Sequence, residues 1–531
     1  RLKPVKLGEL PIIKVAAYLN SDNGWEQTTA QRILWERQDR SVVHALNEML
    51  AGSDRPLGRL HALYALASLE LLNRNHVQRA LRDKNPRVRA HAVKLSEQFL
   101  AERPSDEILN DLLPLCDDDS EHVRFQLAFT LGETSDDRAI DALGRLALDV
   151  RNGVEIQTAI MSSVSGTADQ IAARLLRNGS AGKARLLKLL AQLGQIAGAN
   201  SDTTMTLQML TLITEQEVSE SIQEAVLGGV GRGLSARGAS VSGVIADAAT
   251  SAIVRERVAT LFARASQSAA DDTKPLNERA AAVGLLAFAD ASTATEHLPE
   301  FLSPQTAQPL QRAAVAALAQ HDSDDIAATL LAGWRAYSPQ VRQDVVDALV
   351  VKTSRIQALL AAVESKTVRQ SDLSRDRKQL LMNHPNTTVS NRSRELFGGE
   401  VTSDRGKVVA EYQNVLSLEG DVARGEAVFK KICSACHKTG GIGHQVAPDL
   451  ASVKNKSDAD LLISILDPNR EAQPNFNVYT VVTNQGRVYN GIIATESAGS
   501  ITLRRAEAKE DVILRSNIDQ LISTGLSLMP V

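Results

Sequence analysis

Asp83-Lys84-Asn85-Pro86-Arg87-Val88-Arg89 is followed, 35 residues later, by Asp118-Asp119-Ser120-Glu121-His122-Val123-Arg124, and this recurrence decides the fold of most of the chain. Upstream, Arg59-Leu60-His61-Ala62-Leu63 matches Arg89-Ala90-His91-Ala92-Val93 at a spacing of 30 residues. Downstream, Arg279-Ala280-Ala281, Arg312-Ala313-Ala314 and Val341-Arg342-Gln343 recur at spacings of 33 and 30. From residue 25 to residue 395 apolar side chains return every third or fourth position, with short polar breaks between, which is the period of amphipathic helices. A pair of such helices has an apolar face it cannot bury alone. Pairs repeating every roughly 30 to 45 residues therefore stack on one another as an α-solenoid.

In each repeat Pro or Asp is expected to start the second helix, Val to enter the core and Arg to reach a neighbouring repeat. The Asp/Pro-x-Val-Arg signature resembles that of HEAT repeats, which implies a scaffold on which other proteins dock. The stretch from 196 to 250, with Leu227-Gly228-Gly229-Val230-Gly231, breaks the rhythm and is expected to interrupt the array. Residues 1–24, with Pro4 and Pro11, read as a leader or as the tail of a preceding domain. The polar run His384-Pro385-Asn386-Thr387-Thr388 and the pair Gly398-Gly399 signal the way out of the repeats, and residues 396–416 are expected to form a linker and a helix.

The composition excludes some functions. Of 531 residues, 59 are Lys or Arg and 63 Asp or Glu, a net charge of −4 that leaves no electrostatic footprint for nucleic acid. No apolar run is long enough to cross a bilayer as a helix. Three cysteines do not make a disulfide framework. Cys116 reads as a partly buried helix residue, and Trp25, Trp35 and Trp334 as packing residues on helices. Asp117-Asp118-Asp119 and Asp271-Asp272 read as solvated helix starts, since the ligand spacing of a calcium loop is missing. Gly229-x-Gly231-x-Gly233 lacks the preceding strand of a nucleotide site. No Ser/His/Asp set or nucleophile elbow is present, so no catalytic residue is assigned.

From residue 417 the character of the chain changes. Cys433-Ser434-Ala435-Cys436-His437 is a C-x-x-C-H motif: two thiols one helical turn apart can form thioethers to the vinyl groups of one haem, and the adjacent histidine then falls under the iron. The other chemistries of C-x-x-C are half a zinc site, for which no second Cys or His pair lies nearby, and a dithiol redox pair, for which no thioredoxin-like βαβ pattern surrounds it. Ala447-Pro448-Asp449-Leu450 resembles the segment that follows this motif in cytochromes c, which implies that Pro448 offers its carbonyl to His437 Nδ1. Met529 is the expected distal iron ligand, and a thioether there raises the reduction potential. His444, seven residues after His437, is the alternative. From Asn477 to Arg515 strand patterns replace helix patterns, with a hairpin-type turn at Asn484-Gln485-Gly486.

Gly425-x-x-x-Phe429, the C-x-x-C-H motif, Pro448-Asp449-Leu450, Leu461-Leu462-x-x-Ile465-Leu466-Asp467-Pro468, Gly486-Arg487, Gly491 and Ser527-Leu528-Met529-Pro530 follow one another in order. Together they resemble the C-terminal haem-binding domain of large planctomycete and verrucomicrobial proteins. In that family HEAT-like repeats often precede the domain, and a β-propeller resembling sugar or sorbosone dehydrogenases often precedes the repeats. Asn23-Gly24-Trp25 with Thr29-Ala30-Gln31-Arg32 is similar to the start of the family's helical region. The family continues past Met-Pro with a final helix, so the domain is expected to be truncated at Val531.

The expected fold is mainly α: a HEAT-like solenoid over 25–395, then a cytochrome c-like domain over 417–531 with a small antiparallel β insertion at 477–515. The expected cofactor is one covalent haem c, held by Cys433, Cys436, His437, Pro448 and Met529, with His437 and Met529 on the iron. The expected function is electron transfer with a redox partner protein or dehydrogenase domain, in the periplasm or otherwise outside the cytoplasm, free or membrane-associated. The alternatives are a haem enzyme fragment with an open iron site, and an interaction scaffold with a structural haem. Replacing both thiols (Cys433→Ala with Cys436→Ala) is expected to abolish haem that survives denaturation; retention of the pigment on a denaturing gel would refute thioether attachment.

Overall fold

The computed structural model describes residues 6–100, 106–178, 182–215, 217–247, 250–398, 405–453, 455–470 and 473–530; Pro4, Gly399 and Val531 lie outside them. The chain divides into two compact units, Arg1–Val258 and Ala259–Val531.

In the first unit the repeats are helix pairs such as Arg74–Leu81 with Pro86–Leu100, and Asp106–Leu112 with Glu121–Leu131. Pro86 opens its helix, where the missing N–H costs nothing. Val88 and Val123 are buried, as the repeat pattern requires. The arginines that follow them, Arg89 and Arg124, and Arg59 of the preceding repeat make the link between repeats. Arg59 Nε and Nη2 donate to the Asp83 carboxylate at 2.6 and 2.7 Å, and Nη1 donates to Ser53 O at 2.7 Å. Arg89 does the same with Asp118 at 2.8 and 2.7 Å and with Asp83 O at 2.8 Å. Arg124 meets Asn152 Oδ1 at 2.8 Å and Asp118 O at 2.5 Å. Each aspartate also caps its own turn, Asp83 accepting from Asn85 N and Asp118 from Ser120 N, both at 2.8 Å. Asp118 is thus enclosed in an ion pair rather than solvated, while Asp117 and Asp119 are exposed.

Three further expectations need correction. The glycine-rich middle does not interrupt the array: it supplies the helices Lys183–Ala199 and Glu220–Ala236, which cross almost in backbone contact. A Cβ on Gly194 would lie 2.7 Å from Val226 O, and Cβ atoms on Gly198, Gly229 and Gly233 would collide with Val230 O, Ala191 O and Gln195 O. The glycines are there because no side chain fits the crossing. Trp25 and Trp35 are 60% and 59% exposed, because the buried stripe of helix Gly24–Arg37 is Gln27, Ala30, Ile33 and Leu34; Trp334 is buried. Cys116 is buried in a 3-10 turn, Leu113–Asp117. Residues 7–20 form the short helices Leu7–Glu9, Ile12–Ala17 and Tyr18–Asn20, which bury Leu7, Val15, Ala16 and Leu19.

The second unit begins with helix pairs of the same kind, among them Gln308–Gln320, Pro339–Leu349 and Thr353–Glu364. Val341 is buried, and Arg342 faces Asp372 at 3.5 Å. Asn386 does not leave the repeats: its side chain accepts from Thr388 N and Val389 N and starts the helix Thr387–Phe397. After Gly406–Glu411 and Gln413–Ser417 comes the segment of the C-x-x-C-H motif, with a two-stranded hairpin, β1 (Lys438–Thr439) and β2 (Ile442–Gly443). Five longer strands follow: β3 (Asn477–Thr483), β4 (Val488–Glu496), β5 (Ser500–Arg504), β6 (Glu510–Leu514) and β7 (Ile518–Ser527). They form one antiparallel sheet in the order β6-β5-β4-β3-β7.

The sheet buries Tyr479, Val481, Ile501, Leu503, Ile513, Ile518 and Leu521 on one face. Its polar contacts on that side go to the helical array. Tyr479 Oη donates to Tyr337 O at 2.9 Å, and burial pushes its hydroxyl up to about 12. Arg515 donates to Pro304 O and Thr306 O at 3.0 and 2.9 Å and pairs with Glu496. Arg369 donates to Thr524 O at 2.8 Å and to Gly525 O. Strand β7 lies beyond the residues in which the sequence pattern predicts strands. Its inward positions after Leu521 are Ser523 and Gly525, while Ile522 and Leu526 face out, so the apolar alternation that signals a strand is inverted there.

Burial pushes the Asp83 carboxyl up, but the hydrogen bonds from Arg59 and Asn85 outweigh it and hold it below the usual aspartate range. This stabilisation is complete above the unfolded aspartate value and disappears as pH falls through the folded one. Asp83→Ala, which leaves Arg59 buried without its counter-ion, is expected to cost the first unit about 3 kcal/mol in urea unfolding. Asp83→Asn should cost less, since Asn152 already serves Arg124 in this way; equal losses would show that the charge, not the geometry, carries the rung.

Candidate haem site

The motif is set by a local distortion of its helix. Helix Val422–Val428, capped by Asp421 through Arg424 N, widens into a π-turn over Phe429–Cys433, and Ser434 N bonds back to Phe429 O at 2.9 Å. Widened turns of this type are frequent at functional sites. Cys436 N and His437 N both return to Cys433 O, at 3.1 and 2.9 Å, so the two thiols and the imidazole sit on one tight turn.

The hairpin β1–β2 then folds back over this turn. Gly440 and Gly441 have φ of +54° and +85°, which lets a two-residue loop reverse the chain. His444 N bonds to Ser434 O at 2.9 Å, and Val446 N and Ala447 N bond to Cys436 O at 3.0 and 2.8 Å. Gly443, at φ +90°, lies against His437 O so closely that a Cβ would overlap it. The path delivers Pro448 to the histidine: His437 Nδ1 is 2.9 Å from Pro448 O. A carbonyl oxygen can only accept, so Nδ1 carries the proton and Nε2 keeps its lone pair for a metal. His444, by contrast, is exposed.

The sheet touches the motif as well. Glu507 N, in the turn between β5 and β6, donates to Ala435 O at 2.7 Å. Glu507 and Ala508 hold left-handed φ of +62° and +54°, a strained conformation for residues with a side chain, at the place where this turn meets the motif. Met529 follows β7. Its N–H bonds to Ser527 Oγ at 3.1 Å, and Ser527 N donates to Asn469 Oδ1 at 2.8 Å, which ties the end of the strand to the turn after helix Asp458–Leu466. Asn469 and Ser527 carry no metal-ligand chemistry, so only the folded contact exposes this support.

The residues present fit a haem. Both thiols are half-buried, and burial, with Cys433 adding to it, pushes the Cys436 thiol up. Among the described residues from 410 to 466, Val446 alone is buried, although the segment carries many apolar side chains; Ile432 is 66%, Ile465 58% and Val428 54% exposed. A folded segment normally encloses such side chains against each other. Here they offer the wide apolar surface that a planar macrocycle needs, beside two thiols and an imidazole of fixed tautomer.

Comparisons with known proteins agree with this organisation in part. The family model described as HEAT repeats matches residues 73–163, and that of cytochrome c matches residues 422–485. The chain therefore carries HEAT repeats and a C-terminal cytochrome c domain, and the cytochrome c match implies haem as cofactor. No curated protein matches the sequence. Among solved structures, Kap121p bound to Pho4p is similar at 12% identity, covering 78% of this chain and 49% of that one, with a TM-score of 0.45. Kap121p in another crystal structure is also 12% identical, with 88% and 54% covered and a TM-score of 0.27. Human deoxyhypusine hydroxylase in complex with glycerol is 19% identical, with 61% and 94% covered and a TM-score of 0.17. The chain spans about half the length of Kap121p.

Gly443→Ala places a methyl group against His437 O at a left-handed φ. It is expected to cost about 2 kcal/mol and to lower haem occupancy after maturation. Full occupancy with an unchanged melting temperature would show that the loop yields without moving the histidine.

Proposed function

We propose that this chain transfers electrons through one covalently held haem c, outside the cytoplasm, with the HEAT array as the body on which a redox partner docks. The observation that carries this reading is the bond from His437 Nδ1–H to Pro448 O at 2.9 Å, directly after the two thiols. A bound haem supplies one-electron Fe(III)/Fe(II) chemistry.

The chain's own residues do the rest. Cys433 and Cys436 would hold the cofactor through their thiols, and through any local opening of the segment. His437, with Nδ1 held by Pro448 O, keeps its Nε2 lone pair available and would serve as the proximal ligand, made more basic by the carbonyl behind it. Met529, just after β7, would serve as the second ligand, and its soft sulfur would favour the reduced state. Asn469 and Ser527 position that strap through the two hydrogen bonds above. Haem attachment of this type is carried out beyond the cytoplasmic membrane, which supports periplasmic residence; no described helix is long and apolar enough to cross a membrane. The electron donor is a dehydrogenase protein or domain, a reading supported by the resemblance of the C-terminal segment to planctomycete haem domains.

The test is an absorption spectrum, oxidised and reduced, of protein matured with the c-haem apparatus. Low-spin spectra with a sharp reduced α-band and the weak long-wavelength band of methionine ligation are expected. Met529→Ala should keep the haem attached but turn it high-spin, and Asn469→Ala should weaken the methionine band and lower the potential. A wild-type iron that is high-spin and takes up small ligands would instead favour an enzyme with an open site.

A further inference from the structure

A partly enclosed cleft of about 250 Å³ lies within the second unit, between the helical array and the end of β7. None of the residues assigned to the haem lines it. Four cations border it, Arg335, Arg342, Lys366 and Arg369, against one carboxylate, Asp372.

The carboxylate is already engaged. Asp372 accepts from Arg369 N at 3.0 Å and faces the Arg342 guanidinium at 3.5 Å. Arg342 is itself fixed, buried between the rings of Trp334 and Tyr479, whose centroids lie 5.1 and 5.6 Å from its Cζ. Arg369 spends its terminal nitrogens on the carbonyls of Thr524 and Gly525, which accept hydrogen bonds but neutralise no charge. A Cβ on Gly525 would overlap that guanidinium, so glycine is what admits it. At the mouth, Arg335 and Lys366 are exposed and have no ion-pair partner among the described residues. Lys366 holds a left-handed φ of +61° just after helix Thr353–Glu364, a position that ordinarily takes glycine. The cleft thus carries an excess of positive charge, part of it rigid and desolvated and part of it free at the rim, which is the arrangement that selects a multivalent oxyanion.

We propose that this cleft binds a small ligand through a tetrahedral oxyanion, phosphate or sulfate, either free or as the monoester of a compact molecule. The bound anion lies between Lys366 and Arg335 of the array and the Thr524–Gly525 end of β7, and so fastens the sheet to the helices.

The test uses the full haem-loaded chain, with thermal shift and calorimetric titration of inorganic phosphate, inorganic sulfate, glucose 6-phosphate and glucose 6-sulfate. The comparison protein carries Arg335→Gln and Lys366→Gln, two exposed positions whose change leaves the packing intact; an unchanged melting temperature without added anion checks this. Saturable binding to the wild type that is at least ~10-fold weaker in the double variant is expected. Tighter binding of the monoesters identifies an ester as ligand, and tighter binding of the inorganic ions identifies the free anion. The proposal is overturned if neither anion nor ester binds the wild type at about 20 mM, if the double variant binds as well as the wild type, or if an acidic peptide binds where the oxyanions do not.

Discussion

A buried guanidinium must find acceptors, and in the first unit that requirement sets the distance from one repeat to the next. Arg59, Arg89 and Arg124 each reach back to a carbonyl six residues earlier and forward to the acidic or amide side chain that opens the next turn. The same aspartate therefore closes the turn that leads into its own helix and links to the previous repeat. One residue serving both purposes couples the start of a helix to the stacking of its neighbour, so a change at Asp83 or Asp118 acts on two repeats at once. The helix pairs themselves could slide over apolar faces; the arginine fork, with its fixed planar geometry, gives them a register.

Where the ladder is absent, backbone contact replaces it. The crossing of Lys183–Ala199 with Glu220–Ala236 depends on four glycines, a pair four residues apart on each helix, each at a place where a methyl group has no room. Composition alone presents such a stretch as a weak helix, because glycine lowers helix propensity. Packing against a second helix restores what the propensity loses, since dispersion contacts grow as the axes approach.

In the second unit two different constraints meet at one sheet. Its buried face is tied to the helical array by Tyr479, Arg515 and Arg369, while its β5–β6 turn and the end of β7 reach toward the haem segment through Glu507 and Ser527. The helices of the C-x-x-C-H segment bury almost nothing of their own, so these contacts are what hold them to the sheet. A sheet that lies in the sequence between His437 and Met529 thus becomes the part that joins the cytochrome segment to the repeats beside it.

Chemistry carried by adjacent residues is determined by the sequence itself. The thiol spacing of Cys433 and Cys436, the histidine next to them and the repeated Val-Arg pairs are local patterns, and a local pattern keeps its meaning however the chain later folds. The β3–β6 strands and the hairpin turn at Gly486 are legible for the same reason. Tertiary structure decided the rest: which carboxylate each arginine meets, that the glycines of 194–233 mediate a helix crossing, that Trp25 and Trp35 face solvent, that Asn469 holds the strap of Met529, and that β7 exists at all. Each of these depends on groups brought together from distant positions, as when Gly525 makes room for Arg369 from 156 residues away, and no short-range period records a contact whose partner is supplied by another element.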